Sequence, residues 1–150
     1  MIVYDNDPGG FLATWLCKRI LYTPTEHLRV IARVNEQNQI LGVVGYDCFN
    51  GASCQMHVAG VGNWVSRHFL FAAFDYPFNT CNLKCLLGLT PSSKEDAIRF
   101  NQHIGFTEVL RLEDAHPDGA LIVYRMYKTD CRWIGHVRST LTKLPAELRH

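Results

Sequence analysis

The chain has 150 residues, 47% of them hydrophobic, and its 15 basic and 14 acidic side chains leave a formal charge of +1. That length supplies one ordinary core rather than two, and so balanced a charge argues against a nucleic-acid or anionic-membrane partner. No run approaches the roughly 18 apolar residues of a membrane span, and MIVYDNDPGG lacks the basic-then-apolar order of an export signal, so the expectation is a soluble, cytoplasmic protein.

Asp7 and Pro8 precede GGFLATWLCKRILY, in which Phe11, Leu12, Trp15, Leu16, Arg19 and Ile20 recur at helical spacing. This predicts a first helix that ends before Pro24. Two strand-like runs follow, Leu28 to Val34 and Ile40 to Phe49, joined by the polar NEQNQ as a hairpin. After the turn at Asn50 to Ser53, CQMHVAGV completes a three-strand meander.

Past Gly60 and Gly62 the period lengthens toward 3.6. Val65, Phe69, Ala72, Ala73 and Tyr76 line one side of a second helix, stopped near Pro77. KCLLGLTP is a nearly continuous apolar strand, the kind buried on both faces. Ser92 or Ser93 is placed to cap the helix SKEDAIRFNQHI, with Glu95 and Asp96 near its positive end.

Gly105 permits the left-handed turn that closes this helix, and Phe106 anchors an aromatic at the pivot. Pro117, Asp118 and Gly119 then fold residues 108 to 127 into a long hairpin. The tail, CRWIGHVRSTLTKLPAELRH, is polar with isolated large apolars. It reads as a segment docked on the domain or an arm reaching a partner through Trp133, Ile134, Val137 and Leu141. The division is a domain over 1–128 and a tail over 129–150, and the fold class is α+β, a mixed sheet with helices packed against it.

Several chemistries are set aside directly. P-loop, dinucleotide, hydrolase-elbow and zincin motifs are all missing from the sequence. The six cysteines form no paired C-x-x-C, and Cys81 and Cys85 alone are too little for zinc, so no metal is expected and a reducing compartment suits the thiols.

The order of elements, together with AIRFNQHIGF, resembles the Gcn5-related N-acetyltransferases over about Leu28 to Lys128. Within that superfamily FTEVLRLEDAHPDGALIVYRMYKTDCRW is most similar to small acetyltransferase-like proteins of bacteriophages and prophages. The resemblance implies an acetyl-CoA-dependent N-acetyltransferase acting on an amine, with acetyl-CoA as cosubstrate. It also implies that CQMHVAGV and CLLGL splay apart as a V. Val58, Ala59, Gly60 and Val61 would then receive the pantetheine arm, and Asn63, Trp64, Val65, Ser66, Arg67 and His68 would meet the pyrophosphate at a helix start, where free N–H groups and the helix dipole favour anions. His57, on the third strand, is the candidate general base, with Asp47, Tyr46 and Tyr124 as further polar groups on sheet strands.

Two departures from the family pattern qualify the resemblance. NWVSRH stands where the family carries a glycine-rich phosphate loop. Lys94 and Asn101 stand where it often has an asparagine and an acid-donating tyrosine, and an amide is no general acid. The alternative is therefore a catalytically silent module of the same fold: a structural part of a phage virion, or a phage-encoded modulator of a host protein, meeting itself or another protein through the tail.

Overall fold

The computed structural model describes residues 1–135 and 142–143. Alternating strands build the predicted meander: β2 (Arg29–Val34), β3 (Ile40–Asp47) and β4 (Ser53–Gly60) pair antiparallel in sequence order. β3 stops at Asp47 rather than Phe49, because Cys48 takes a positive φ of 57° and turns the chain out of the sheet. A strand the sequence did not signal, β1 (Ile2–Asp5), pairs antiparallel with β2, and β8 (Thr142–Lys143) lies parallel beside it. Neither is long enough to display a period.

Among the described residues three α-helices join the strands. α1 (Phe11–Ile20) ends where Leu21 turns left-handed, as predicted ahead of Pro24. α2 (Arg67–Asp75) does not halt the chain at Pro77. It passes into one wide π turn, Tyr76–Thr80, and Pro77 opens that turn, where its missing N–H costs nothing. After β5 (Cys85–Pro91), α3 (Glu95–Ile104) starts behind Lys94 rather than behind either serine. The Ser92 hydroxyl instead accepts from the Ala120 N–H at 3.2 Å, tying the start of α3 to the last hairpin, β6 (Thr107–His116) and β7 (Gly119–Tyr127).

The sheet order is β6-β7-β5-β4-β3-β2-β1-β8, with β4 and β5 parallel among antiparallel neighbours. Each face carries its own core. On one, α1 packs Leu12 and Leu16 on Leu28, Val30 and Val43. On the other, α2 and α3 pack Phe69, Phe74 and Ile104 on Tyr46, Leu86 and Met126. Gly105, at φ 109°, closes α3, and buried Phe106 meets Phe74 with ring centres 6.3 Å apart, so the corner is both cap and core anchor.

β5 departs from its expected double burial. Leu86, Gly88 and Thr90 are covered, but Leu89 is exposed, because among the described residues no helix packs closely over this strand on the α1 side. Past β7 the tail turns back onto α3. The Trp133 indole N–H donates to the Ile104 carbonyl at 2.7 Å, and Arg132 donates to the His103 carbonyl, so two of the helix's unpaired C-terminal acceptors are satisfied. Of the anticipated tail patch, Trp133 and Ile134 rest against the core, while Val137 and Leu141 lie outside the described residues.

Candidate active site

β4 and β5 are hydrogen-bonded neighbours only where Ser53, Cys54 and Gln55 face Cys85, Leu86 and Leu87. Beyond that point β4 continues to Gly60 and β5 to Pro91 without pairing, so the sheet opens in a V. A cleft of about 660 Å³ occupies it. Its walls are Gln55 to Gly60 and Gly88 to Pro91, with the end of α1 closing one side and α3 the other.

The backbone of β4 alternates in what it offers. The Val61 N–H donates to the Leu41 carbonyl at 2.8 Å, which assigns the odd positions His57, Ala59 and Val61 to bonding with β3. Val58 and Gly60 consequently turn their amide and carbonyl groups into the V. Of the four residues expected beside pantetheine, Val58 and Gly60 present free backbone, Ala59 contributes its side chain to the wall, and Val61 lies outside it.

Side chains alternate as well, so the two sides of the V differ. On the α1 side His57 is 9% exposed, and its Nε2 is buried without a hydrogen-bond partner. The Tyr22 ring lies over the imidazole, with centroids 4.1 Å apart and planes inclined by 31°. The Tyr22 hydroxyl donates to Asp47 at 2.7 Å. The fully buried Asp47 carboxylate also receives the Thr25 N–H at 2.8 Å, the Thr25 hydroxyl at 2.5 Å and the Cys48 N–H at 2.9 Å. Burial opposes its charge, but these donors outweigh burial and hold the carboxyl below its ordinary range, so it is an ionised structural anchor and not a free base.

Burial acts on His57 with little relief. Desolvation lowers its pKa to about 4 against a smaller upward pull from Asp47, so the ring is neutral at pH 7. A neutral imidazole with an open lone pair accepts a hydrogen bond readily. It also holds no positive charge against an incoming cation.

On the α2 side the wall is aromatic. Gly42 and Gly60 are cross-strand partners, and the Trp64 indole lies on both: a Cβ on Gly60 would sit 2.3 Å from the ring, and one on Gly42 2.6 Å. Trp64 then meets Phe69 edge-on at 5.8 Å and Phe100 of α3 at 5.2 Å. Arg33 fixes the loop from below by donating to the carbonyls of Asn63 at 3.2 Å and Trp64 at 2.8 Å. The bulk that replaces a glycine in this loop is thus folded back onto glycines in the strands.

This leaves the start of α2 open. The Ser66 hydroxyl caps the helix by accepting from the Phe69 N–H at 3.1 Å, while Arg67 and His68 are exposed at its first positions. Asn63, Val65, Ser66, Arg67 and His68 do not line the cleft. On α3, Asn101 faces the cleft and donates from its amide to the Thr90 hydroxyl at 2.8 Å, and Lys94 lines the cleft at the helix start. Tyr46 and Tyr124 face the α2 core instead, both with pKa raised chiefly by burial. The Tyr46 hydroxyl donates to the Ala73 carbonyl at 2.5 Å, and that of Tyr124 is buried without a partner. Tyr22, absent from the sequence reading, carries no motif. Only its place after the left-handed turn at Leu21 brings it to His57.

No family model and no curated protein matches the sequence. Solved structures do match the fold. A spermidine N-acetyltransferase from Vibrio cholerae in complex with CoA and spermine superposes with a TM-score of 0.62 at 16% identity, over 79% of this chain and 75% of that one. A spermidine/spermine N-acetyltransferase of the same organism with manganese ions gives 0.61 at 16%, over 78% and 74%. The architecture is therefore that of the Gcn5-related N-acetyltransferases: a mixed sheet, opened between two parallel strands and flanked by helices.

Proposed function

We propose that this chain is an N-acetyltransferase that moves the acetyl group of acetyl-CoA to an amine. The observation that carries the reading is the V between β4 and β5, in which Val58 and Gly60 turn backbone polar groups into a cleft walled on its other side by a neutral, unpartnered histidine. The residues fit the ligand chemically. The Val58 and Gly60 backbone is complementary to an amide-bearing arm, and the open first turn of α2 with the Arg67 guanidinium suits a pyrophosphate.

In this reading the amine enters from the α1 side. His57 accepts a hydrogen bond from it and so aims its lone pair at the thioester carbon, while β4 backbone N–H groups receive the developing charge on the carbonyl oxygen. A C–N bond forms and the C–S bond breaks. The amine's proton passes by way of His57 and water, and the thiolate departs beside Asn101. With no tyrosine at position 101, the departing thiolate takes its proton from water.

The structural relatives act on spermidine, and Asp96 and Asp118 line this cleft, so a polyamine is the first acceptor to try. Residues 129–150 are proposed as a docking segment of the 1–128 domain, since Arg132 and Trp133 already bind α3.

Titration calorimetry with acetyl-CoA tests the assignment. Binding at sub-millimolar concentration is expected, followed by thiol release when spermidine is added. Neither heat nor thermal stabilisation at millimolar ligand overturns it. The second reading, a silent module of the same fold in a phage particle or acting on a host protein, draws its support from two observations: Trp64 reaches across to Phe100, and the Asn101 amide is committed to Thr90.

A further inference from the structure

Tyr22 is held at three points. Its backbone N–H donates to the Cys17 carbonyl at 3.1 Å where α1 ends, its hydroxyl donates to Asp47 at 2.7 Å, and its ring lies on His57 with centroids 4.1 Å apart. The turn that delivers it is made by Leu21 at φ 54°, a left-handed conformation that a leucine keeps only when its surroundings fix it. Beyond Tyr22, the Thr25 N–H and hydroxyl also donate to Asp47, so the loop between α1 and β2 is tied twice to one carboxylate. A plain connection from helix to strand requires none of this.

The tether acts on the imidazole. Asp47 accepts from Tyr22, Thr25 and Cys48, so its contact with the histidine is made by way of the Tyr22 ring, and otherwise it is a charge at a distance. The cross-strand partner of His57 is Gly45, which has no side chain to steady the ring, and the His57 Nε2 has no hydrogen-bond partner. Orientation therefore rests on packing, and among the described residues Tyr22 is the one aromatic ring stacked on the imidazole.

We propose that Tyr22 is a positioning residue for the general base: tethered to Asp47, its ring holds the His57 imidazole dry and in one orientation for the acceptor amine. The amine in this statement rests on the acetyltransferase reading; the hold on the histidine does not. The titratable and charged groups on this side are Cys17 and Arg19 of α1, Tyr22 itself, and Asp47 and Cys48 at the end of β3. Gln55, Ala59 and Leu89, which β4 and β5 add to the same wall, do not titrate. Burial, then the bond to Asp47, pushes the Tyr22 phenol up, and burial pushes the Cys17 thiol up, so both are neutral at pH 7. Arg19 is turned onto the Trp15 ring at 3.6 Å and donates to the Trp15 carbonyl. Asp47 favours an imidazolium, burial outweighs it, and His57 falls to about 4. Taking away the ring that covers the imidazole admits water and returns that value toward 6.5.

An NMR titration of the His57 ring protons, on the full chain without cofactor and assigned with H57Q, tests the hold. In the wild type these protons should be shifted upfield by the Tyr22 ring and should titrate near pH 4. Y22L, at a half-buried loop position, should lose the upfield shift and raise the pKa by about one unit or more. Y22F keeps the ring and cuts the tether, so the upfield shift should remain and the pKa should move by less than about half a unit. With acetyl-CoA and spermidine, Y22L should lower kcat about tenfold at unchanged KM for acetyl-CoA and lose further activity below pH 6.5, with Y22F between it and the wild type. The wild-type and Y22F titrations decide the matter whether or not Y22L folds. A wild-type His57 that titrates near 6.5 without an upfield shift, a Y22L pKa equal to that of the wild type, or a Y22F as damaging as Y22L overturns the proposal. The expected titrations without any turnover support the hold of Tyr22 on His57 and sink only the transferase assignment.

Discussion

The two sides of the V are made of opposite materials on a single strand. Odd positions of β4 place buried His57 in a polar set with half-buried Tyr22, exposed Thr25 and buried Asp47, whereas even positions place Gly60 beneath an aromatic wall of Trp64, Phe69 and Phe100. The polar side governs protons and is fixed by hydrogen bonds to one ionised carboxylate. The aromatic side governs space and is fixed by contact distance. A change on one side should therefore appear in pH dependence and turnover, and a change on the other in packing and cofactor affinity.

The sharpest break is H57Q. In the proposed reaction it should lower kcat/KM by about 10² to 10⁴ with little change in acetyl-CoA affinity, as a lost proton acceptor does. An equal loss of cofactor binding would mean that His57 is a wall residue instead.

D47N should follow. It replaces an acceptor of four hydrogen bonds with a group that satisfies fewer of them, at a cost of about 3 kcal/mol in urea unfolding, and it loosens Tyr22 over the imidazole.

The pH dependence of stability has a defined sign. His57 is lowered to about 4 in the folded protein from an ordinary 6.5, so between those values the unfolded chain binds a proton that the folded chain refuses. Its contribution is harmless above pH 6.5. As pH falls toward 4 stability declines, by on the order of 3 kcal/mol, and H57Q should flatten that slope in a pH series of thermal melts.

On the aromatic side, G60A drives a methyl group into the Trp64 ring and should cost about 2 kcal/mol, largely recovered in G60A/W64A, where the two losses do not add. R67A gives the smallest effect. It should leave stability unchanged and weaken acetyl-CoA about tenfold, the value of one charge-assisted hydrogen bond.

How much of this was legible in the chain depends on distance along it. The meander, α3 and its Gly105 corner were readable because period and turn chemistry act within a few residues. β1 was missed because four residues show no period, and the caps by Ser92 or Ser93 were misplaced because Ala120, 28 residues away, takes the Ser92 hydroxyl. β5 was read as doubly buried because apolar composition does not say whether a helix arrives to cover each face. Of the candidate site, His57, Val58, Ala59 and Gly60 line the cleft, whereas the loop from Asn63 to His68 contributes only Trp64 to its wall. That indole was read as a phosphate neighbour and is found on the Gly42–Gly60 floor.

By itself the sequence determined the three helices and the strands from β2 to β7, that one mixed sheet organises them, and that glycine closes α3, because these follow from side-chain spacing and local backbone freedom. Only the tertiary structure decided that Tyr22 and Asp47, 25 residues apart, meet beside His57, that Trp64 rests on two strands, and that Leu89 of β5 stands exposed. Burial, and with it the protonation of a histidine, is a property of neighbours brought from elsewhere in the chain, and no local pattern records it.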